Sequence, residues 1–388
     1  MIVSIERADR RRVRPTPRRV AMSSASTTRP FSSPPAPPIN VWPVIDPGGC
    51  APAAREAIGR DIIASCRSLG YFSITVEHPE AEHPDELSRA VRRLSAGLGA
   101  AMVVDVEPIS LSDCERWFAQ EPSVKEARAM VDGRGYQRLH ENVTENKPDA
   151  HEALDFYRAC AKREPGTLRG PHRDMGDGGA MNARVEARAR GMLRLGRALL
   201  RCVALALQLS EDAFEDDVAG CPFWIMRLIH SPGRASDDED VLSCGAHTDY
   251  GFLTFLEATH AGLQVEDAGS KEWRDVPLAR DSFVCLIGEM MQLFTGDVLK
   301  ATRHRVVRKR DSESAAESRY SIAFFYEPNY DAVIDDDRRV SWRDGDHRDH
   351  EDDSCLKKKH SRPPSDKIRR VAYSAHLEAK VASNFATN

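Results

Sequence analysis

The chain has 388 residues, with 41% apolar and 30% charged side chains and a formal net charge of -5. That is globular composition, at a length that allows two or three ordinary units or one larger domain with extensions. No apolar run approaches the roughly 20 residues of a membrane helix, and the net charge gives no general attraction to nucleic acid or an anionic membrane.

The first 40 residues hold eight Arg, six Ser and seven Pro, with only Glu6 and Asp9 as acids. Residues 1–38 are therefore expected to be a disordered or targeting segment, since such a stretch buries too little apolar surface to order itself. Three readings stand side by side: a plastid or mitochondrial transit peptide, a disordered tail on a cytoplasmic protein, or sequence upstream of a start at Met22. No aromatic residue interleaves the arginines before Phe31, which disfavours a nucleic-acid arm.

Residues 39–215 are expected to be mostly helical, with a few strands. INVWPVID (39–46) alternates like a strand. AAREAIGRDIIASCRSLG (53–70) has apolar residues at helical spacing and ends on Gly70. YFSITVEHP (71–79) reads as a short strand, and 85–104 and 188–208 as amphipathic helices.

From about 222 the period changes. FWIMRLIHS, LSCGAHTDYG, FLTFLEA, GLQVED, EWRDVPL, DSFVCLIGE, RHRVVRK and RYSIAFFYE are short apolar stretches divided by Gly, Pro, Asp or Ser. Residues 220–333 therefore read as a β-sandwich or barrel. A charged insertion follows at 334–367: of residues 335–370, 21 are Asp, Glu, Lys or Arg. Residues 368–388 regain helical periodicity and are expected to pack back on the body. The nine cysteines are scattered, odd in number and without a CxxC pair, which fits reduced intracellular thiols better than disulfides or a zinc site.

His247 and Asp249 lie two apart on a predicted core strand, so their side chains share a face. A buried carboxylate needs compensation, from a metal, an arginine or a helix N-terminus. Two histidines and one carboxylate form the facial donor set of a mononuclear iron site, and His304 in TRHRVV is the best second histidine. Four other HxD pairs, beginning at His83, His172, His347 and His350, fall in polar or charged stretches and read as surface pairs. Arg319 and Ser321 share a face of RYSIAFFYE, where a guanidinium and a hydroxyl can clamp a carboxylate. No placed general base supports a zinc hydrolase.

The order HxD, distant His, RxS resembles the 2-oxoglutarate/Fe(II)-dependent dioxygenases of the isopenicillin-N-synthase-like branch, over about residues 39–333 and again near 371–386. VWPVID and CRSLGYFSITVEHP resemble the branch's opening. GYQRLHENVTENKPDAHEALDFY (135–157) is similar to a GYQ-x-x-GENVT-x-x-x-D-x-HEA-x-DFY segment of a plant and fungal subgroup. FWIMRLIHSPG, CGAHTDYG, DSFVCLIGE and AFFYEPNYD match the same subgroup.

The resemblance implies a mainly β fold with α: a double-stranded β-helix (jelly-roll) core with N-terminal and C-terminal helices. It implies Fe(II) on His247, Asp249 and His304, and 2-oxoglutarate as co-substrate held by Arg319 and Ser321. It further implies O2 as oxidant, ascorbate as an optional reductant, and a small-molecule substrate of the kind met in secondary metabolism. A monomer with no nucleic-acid or membrane partner is expected.

Many relatives carry a tyrosine where Ser231 stands. The co-substrate grip is then weaker, or His230 substitutes. His140 stands where a glycine is usual. Tyr136, Gln137, Tyr250 and Phe325 are the candidate substrate contacts, with core packing as the competing reading, and Arg227 is expected to be structural. Two alternatives remain open at this point: the same triad working without 2-oxoglutarate, and a non-catalytic barrel serving as a binding scaffold.

Overall fold

The computed structural model describes residues 36–45, 50–75, 106–233, 240–279, 282–309, 316–335 and 369–383. The expectations for the first 35 residues, for a helix at 85–104 and for the charged insertion beyond Asp335 lie outside the described residues.

In chain order, the first elements are β1 (Ile39–Asn40), α1 (Trp42–Ile45), α2 (Pro52–Leu69), β2 (Phe72–Thr75), α3 (Leu111–Phe118) and α4 (Pro122–Glu126). β3 (Gly135–Gln137), β4 (Val143–Thr144), β5 (Lys147–Pro148), β6 (Glu152–Tyr157) and the long α5 (Ala180–Ala206) follow. The barrel strands are β7 (Trp224–Ser231), β8 (Val241–His247), β9 (Leu253–Ala258), β10 (Leu263–Glu266), β11 (Trp273–Asp275) and β12 (Ser282–Ile287). The chain then runs through α6 (Glu289–Phe294), β13 (His304–Arg308), β14 (Arg319–Tyr326), β15 (Val333–Asp335), β16 (Arg370–Ala372) and α7 (Tyr373–Ser383).

Two sheets make the core. The larger has the order β1-β2-β12-β9-β14-β7-β6-β3 and the smaller β11-β10-β13-β8. All eight strands expected after residue 222 are present. The first part of the chain differs from expectation, because β3 and β6 extend the large sheet beside β7. All six residues of β6 are buried. A strand covered on both faces loses the polar/apolar alternation that marks a strand in sequence. Residues 39–46 also differ: β1 ends after two residues and α1 begins. Pro43 has no N–H for a ladder but suits the first turn of a helix.

Alternation along β14 and β7 sets the inside and outside of the barrel. Ile322, Phe324 and Tyr326 of β14, with Met226 and Leu228 of β7, are buried towards the helices. There Gly196 of α5 lies so close to the Tyr326 ring that a Cβ would stand 2.3 Å from it. Arg319, Ser321, Phe325 and the following Glu327 take the opposite parity, as do Arg227 and Ser231.

α2 starts with proline in its first turn and ends on Gly70, whose left-handed φ of 80° and N–H bond to the Cys66 carbonyl close the helix. α7 docks on the barrel through Tyr373 and Leu377, both fully buried. β16 pairs antiparallel with β15 just before it, so this segment does return to the body.

Candidate metal and co-substrate site

β8 delivers His247 at its last residue, and Asp249 follows in the turn towards β9. β13 pairs antiparallel with β8 and sets His304 directly opposite His247. The ligand atoms of these three residues lie within 4.8 Å of one another. Asp249 Oδ1 is 3.7 Å from Nε2 of each histidine, and the two rings are 4.3 Å apart.

The surroundings orient each donor. His247 Nδ1 donates to the Gly245 carbonyl and His304 Nδ1 to the Thr302 carbonyl, both at 2.9 Å. Both Nε2 atoms are thereby left to face Asp249. Thr254 donates to Asp249 Oδ2 at 2.5 Å, leaving Oδ1 between the imidazoles. Burial pushes His304 down to about 4 against the pull of Asp249. Burial opposes charge on His247 too, but Cys244, Asp249 and the Gly245 carbonyl hold it up to about 10. The two imidazoles and the carboxylate fit Fe(II), which on binding would displace the proton that His247 otherwise carries.

Arg319 lies deeper in the barrel and is only 2% exposed. Its Nε donates to the His260 carbonyl and its Nη1 to Ser321 Oγ, each at 3.0 Å. Among the described residues no carboxylate pairs with it. Burial, with Arg308 nearby, pushes the guanidinium down to about 10. Ser231 is paired with Arg319 across β7 and β14, and its buried hydroxyl has no hydrogen-bond partner. A buried cation without an anion and an orphaned hydroxyl beside it fit the distal carboxylate of 2-oxoglutarate.

The structure separates the other predicted residues by strand face. Gln137, Tyr250 and Phe325 line the pocket that also contains His247 and Asp249. His304, Arg319, Ser321 and Ser231 are not among its lining residues, while Tyr136 and His230 take the other face of the sheet, at the opposite parity to Gln137 and Ser231. Tyr136 bonds to Glu152 on the outer side, and Lys125 binds the same carboxylate at 2.8 and 3.0 Å. His230 donates to Glu152 at 2.7 Å, meets Ser318 Oγ at 3.0 Å and stacks on Tyr320. It pairs with Tyr320 across the strands and so faces away from Arg319, which pairs with Ser231. Arg227 pairs with both oxygens of Asp155, at 2.8 and 3.0 Å, and donates to Gln137 Oε1 at 2.7 Å.

Of the other HxD pairs, only His172 is described. It is half-buried and bonds to Glu186 rather than lying free on the surface. Asn142, Asp155 and Glu327 also line the pocket and went unread in the sequence. Asp155 and Glu327 had a signal, since each is a carboxylate at an inward position of an apolar strand.

The sequence pattern of the 2OG-Fe(II) oxygenase superfamily matches residues 224–328, the span that carries all three candidate metal ligands and the Arg319 clamp. A homoarginine-6-hydroxylase of Arabidopsis thaliana is 36% identical over 263 residues, covering 65% of this chain and 73% of the relative. A homoarginine-6-hydroxylase of Glycine max is 32% identical over 301 residues, covering 74% and 83%. A full-length Neurospora crassa protein, solved in complex with alpha-KG, shares the fold at a TM-score of 0.64 and 19% identity, over 90% of this chain and 96% of that one. The chain belongs to the 2OG-Fe(II) oxygenase superfamily and is an Fe(II)- and 2-oxoglutarate-dependent dioxygenase, which couples oxidative decarboxylation of 2-oxoglutarate to succinate with C–H oxidation of a small organic substrate.

Proposed function

We propose that His247, Asp249 and His304 hold the iron, that Arg319, Ser321 and Ser231 hold 2-oxoglutarate, and that the substrate is a basic amino acid of the homoarginine kind. We also place the chain in the isopenicillin-N-synthase-like branch, on the GYQRLHENVT and HEALDFY segments. The observation that carries the site assignment is the combination, in one barrel, of an oriented His-Asp-His cluster with a buried Arg319 that no carboxylate among the described residues pairs with.

With both groups bound, the keto acid and iron supply the oxidising power. The protein's part is positional. The Gly245 and Thr302 carbonyls hold the imidazoles in the tautomer that presents Nε2. Thr254 holds Asp249 with one oxygen turned inward. Arg319 and Ser321 lie on an inward face of β14 and orient the co-substrate from its far end. Phe325 and Tyr250 wall the substrate side and exclude water from the reacting carbon.

Support for a basic amino acid comes from the names of the relatives at 32–36% identity and from Glu327, the one carboxyl of the pocket wall outside the metal cluster that pairs with no cation among the described residues. The test is succinate formation from 2-oxoglutarate by the iron-loaded protein with homoarginine, arginine and lysine in turn. Stimulation by homoarginine well above the substrate-free rate is the expected result. Equal rates with and without each amino acid would remove this substrate class.

A further inference from the structure

We propose that Glu327 and Asn142 form a subsite that reads the positive charge of the substrate's terminal guanidinium or ammonium group. This rests on the basic-amino-acid reading above and adds the residues that would enforce it.

The charges of the pocket are already matched, with one exception. Arg227 is neutralised by Asp155 in a two-point pair. Lys380, near the rim, bonds to Glu289 at 2.8 Å. Asp249 belongs to the metal cluster. Glu327 lines the same pocket, is 1% exposed, and no cation among the described residues pairs with it. Its Oε2 has no hydrogen-bond partner. Burial pushes the carboxyl up to about 8 even though Tyr373 of α7 stands beside it and favours the charged form, so a cation entering the pocket is what would draw off its proton.

The carboxyl also lies close against Gly251. A Cβ on Gly251 would lie 1.6 Å from Glu327 Oε2, so the acid occupies the space that any other residue at 251 would fill. Glu327 and Asp249 line the same pocket and are close enough for the charge of Asp249 to act on the acid.

Asn142 supplies a second acceptor. It is 3% exposed, its Nδ2 donates to the Asp149 carboxylate, and its Oδ1 has no partner. The bond to a carboxylate settles which end of the amide is which. Both unpartnered buried polar atoms of this pocket are therefore acceptors. A buried acceptor left unpaired is costly, and a ligand rich in N–H donors relieves both. Tyr157, Tyr250 and Phe325 line the same pocket and offer aromatic surface to a cation. A neutral end group would leave the Glu327 carboxyl protonated and gain no charge pair from it.

The experiment compares homoarginine with homocitrulline, in which a neutral urea replaces the guanidinium, on the wild-type protein and on Glu327→Gln. Each KM is read from succinate formation, and folding of the variant is checked by thermal melting. Wild type is expected to favour homoarginine by about thirtyfold or more in KM, the scale of one buried charge pair. Glu327→Gln is expected to bring the ratio close to one, with a larger effect on KM than on kcat. Undiminished selectivity in a folded Glu327→Gln overturns the subsite and leaves the basic-amino-acid reading standing. Wild type that treats the two compounds alike overturns charge reading without need of a variant. Wild type that accepts neither overturns the subsite and the substrate reading together.

Discussion

Thr254 donates its hydroxyl to Oδ2 of Asp249 at 2.5 Å, which leaves Oδ1 as the oxygen 3.7 Å from both His247 and His304. Outer partners of this kind set the orientation of a metal ligand, and losing one typically costs about ten- to a hundredfold in metal affinity. Thr254→Val keeps the volume and removes the donor. It is expected to weaken Fe(II) binding within that range, while Asp249→Ala abolishes it. Ferrous titration of the two variants checks this; wild-type affinity in Asp249→Ala would remove the site.

Among the described residues no carboxylate pairs with Arg319, so its contribution waits on a ligand. Arg319→Ala is expected to weaken 2-oxoglutarate binding by about a hundredfold, within the usual range for a lost buried charge contact, and to leave metal binding in place. Calorimetry with a redox-inert divalent metal separates the two. Equal loss of metal and co-substrate affinity would point to a folding defect instead of a clamp.

Glu289 joins α7 to the metal-bearing segment. It accepts from Thr248 at 2.6 Å and Lys380 at 2.8 Å, and meets His376 at 2.9 Å. Burial alone would raise its carboxyl, but these three partners outweigh it and hold the group down to about 2. A folded-state value below that of a free glutamate, about 4.3, means a contribution to stability that is complete above about pH 5 and fades as pH falls towards 2. Glu289→Gln should therefore melt below wild type at pH 7, and the gap should narrow between pH 5 and pH 3. A gap that stays constant over that window contradicts the assignment.

His140 stands in the left-handed region, at φ 66°, where a glycine is usual in the segment it resembles. Its Nδ1 bonds to the Asp149 carbonyl at 3.1 Å, which offsets some of the backbone cost. His140→Ala keeps the strained backbone and loses the bond. His140→Gly loses the bond but relieves the strain. The alanine variant should be the less stable of the two by about 1 kcal/mol, measured by chemical unfolding.

Much of the site was legible because strand parity is strict. Arg319 and Ser321 are a two-residue pair on one face of β14, whereas β8 ends at His247 and the turn after it, not strand parity, brings Asp249 beside the histidine. The same rule explains the errors. Tyr136 and Gln137 are adjacent, as are His230 and Ser231, so only one of each pair can enter the barrel. The inward ones are Gln137 and Ser231. Carried one step past Phe325, the rule also reaches Glu327. β6 was harder to read, since Glu152 and Asp155 are buried on opposite faces and each is matched by a cation from another part of the chain. Such long-range pairing leaves no local period. Asn142 lies outside any regular strand, and only the fold brings it to the pocket.

The central claim is that one barrel holds iron and 2-oxoglutarate side by side. The most direct test loads the protein with Fe(II) in the absence of oxygen, adds 2-oxoglutarate, and follows the weak visible charge-transfer band of a keto acid chelated to ferrous iron. A band that saturates with 2-oxoglutarate, and is lost in Asp249→Ala, is the predicted result. Iron binding with no band at saturating 2-oxoglutarate would contradict the account.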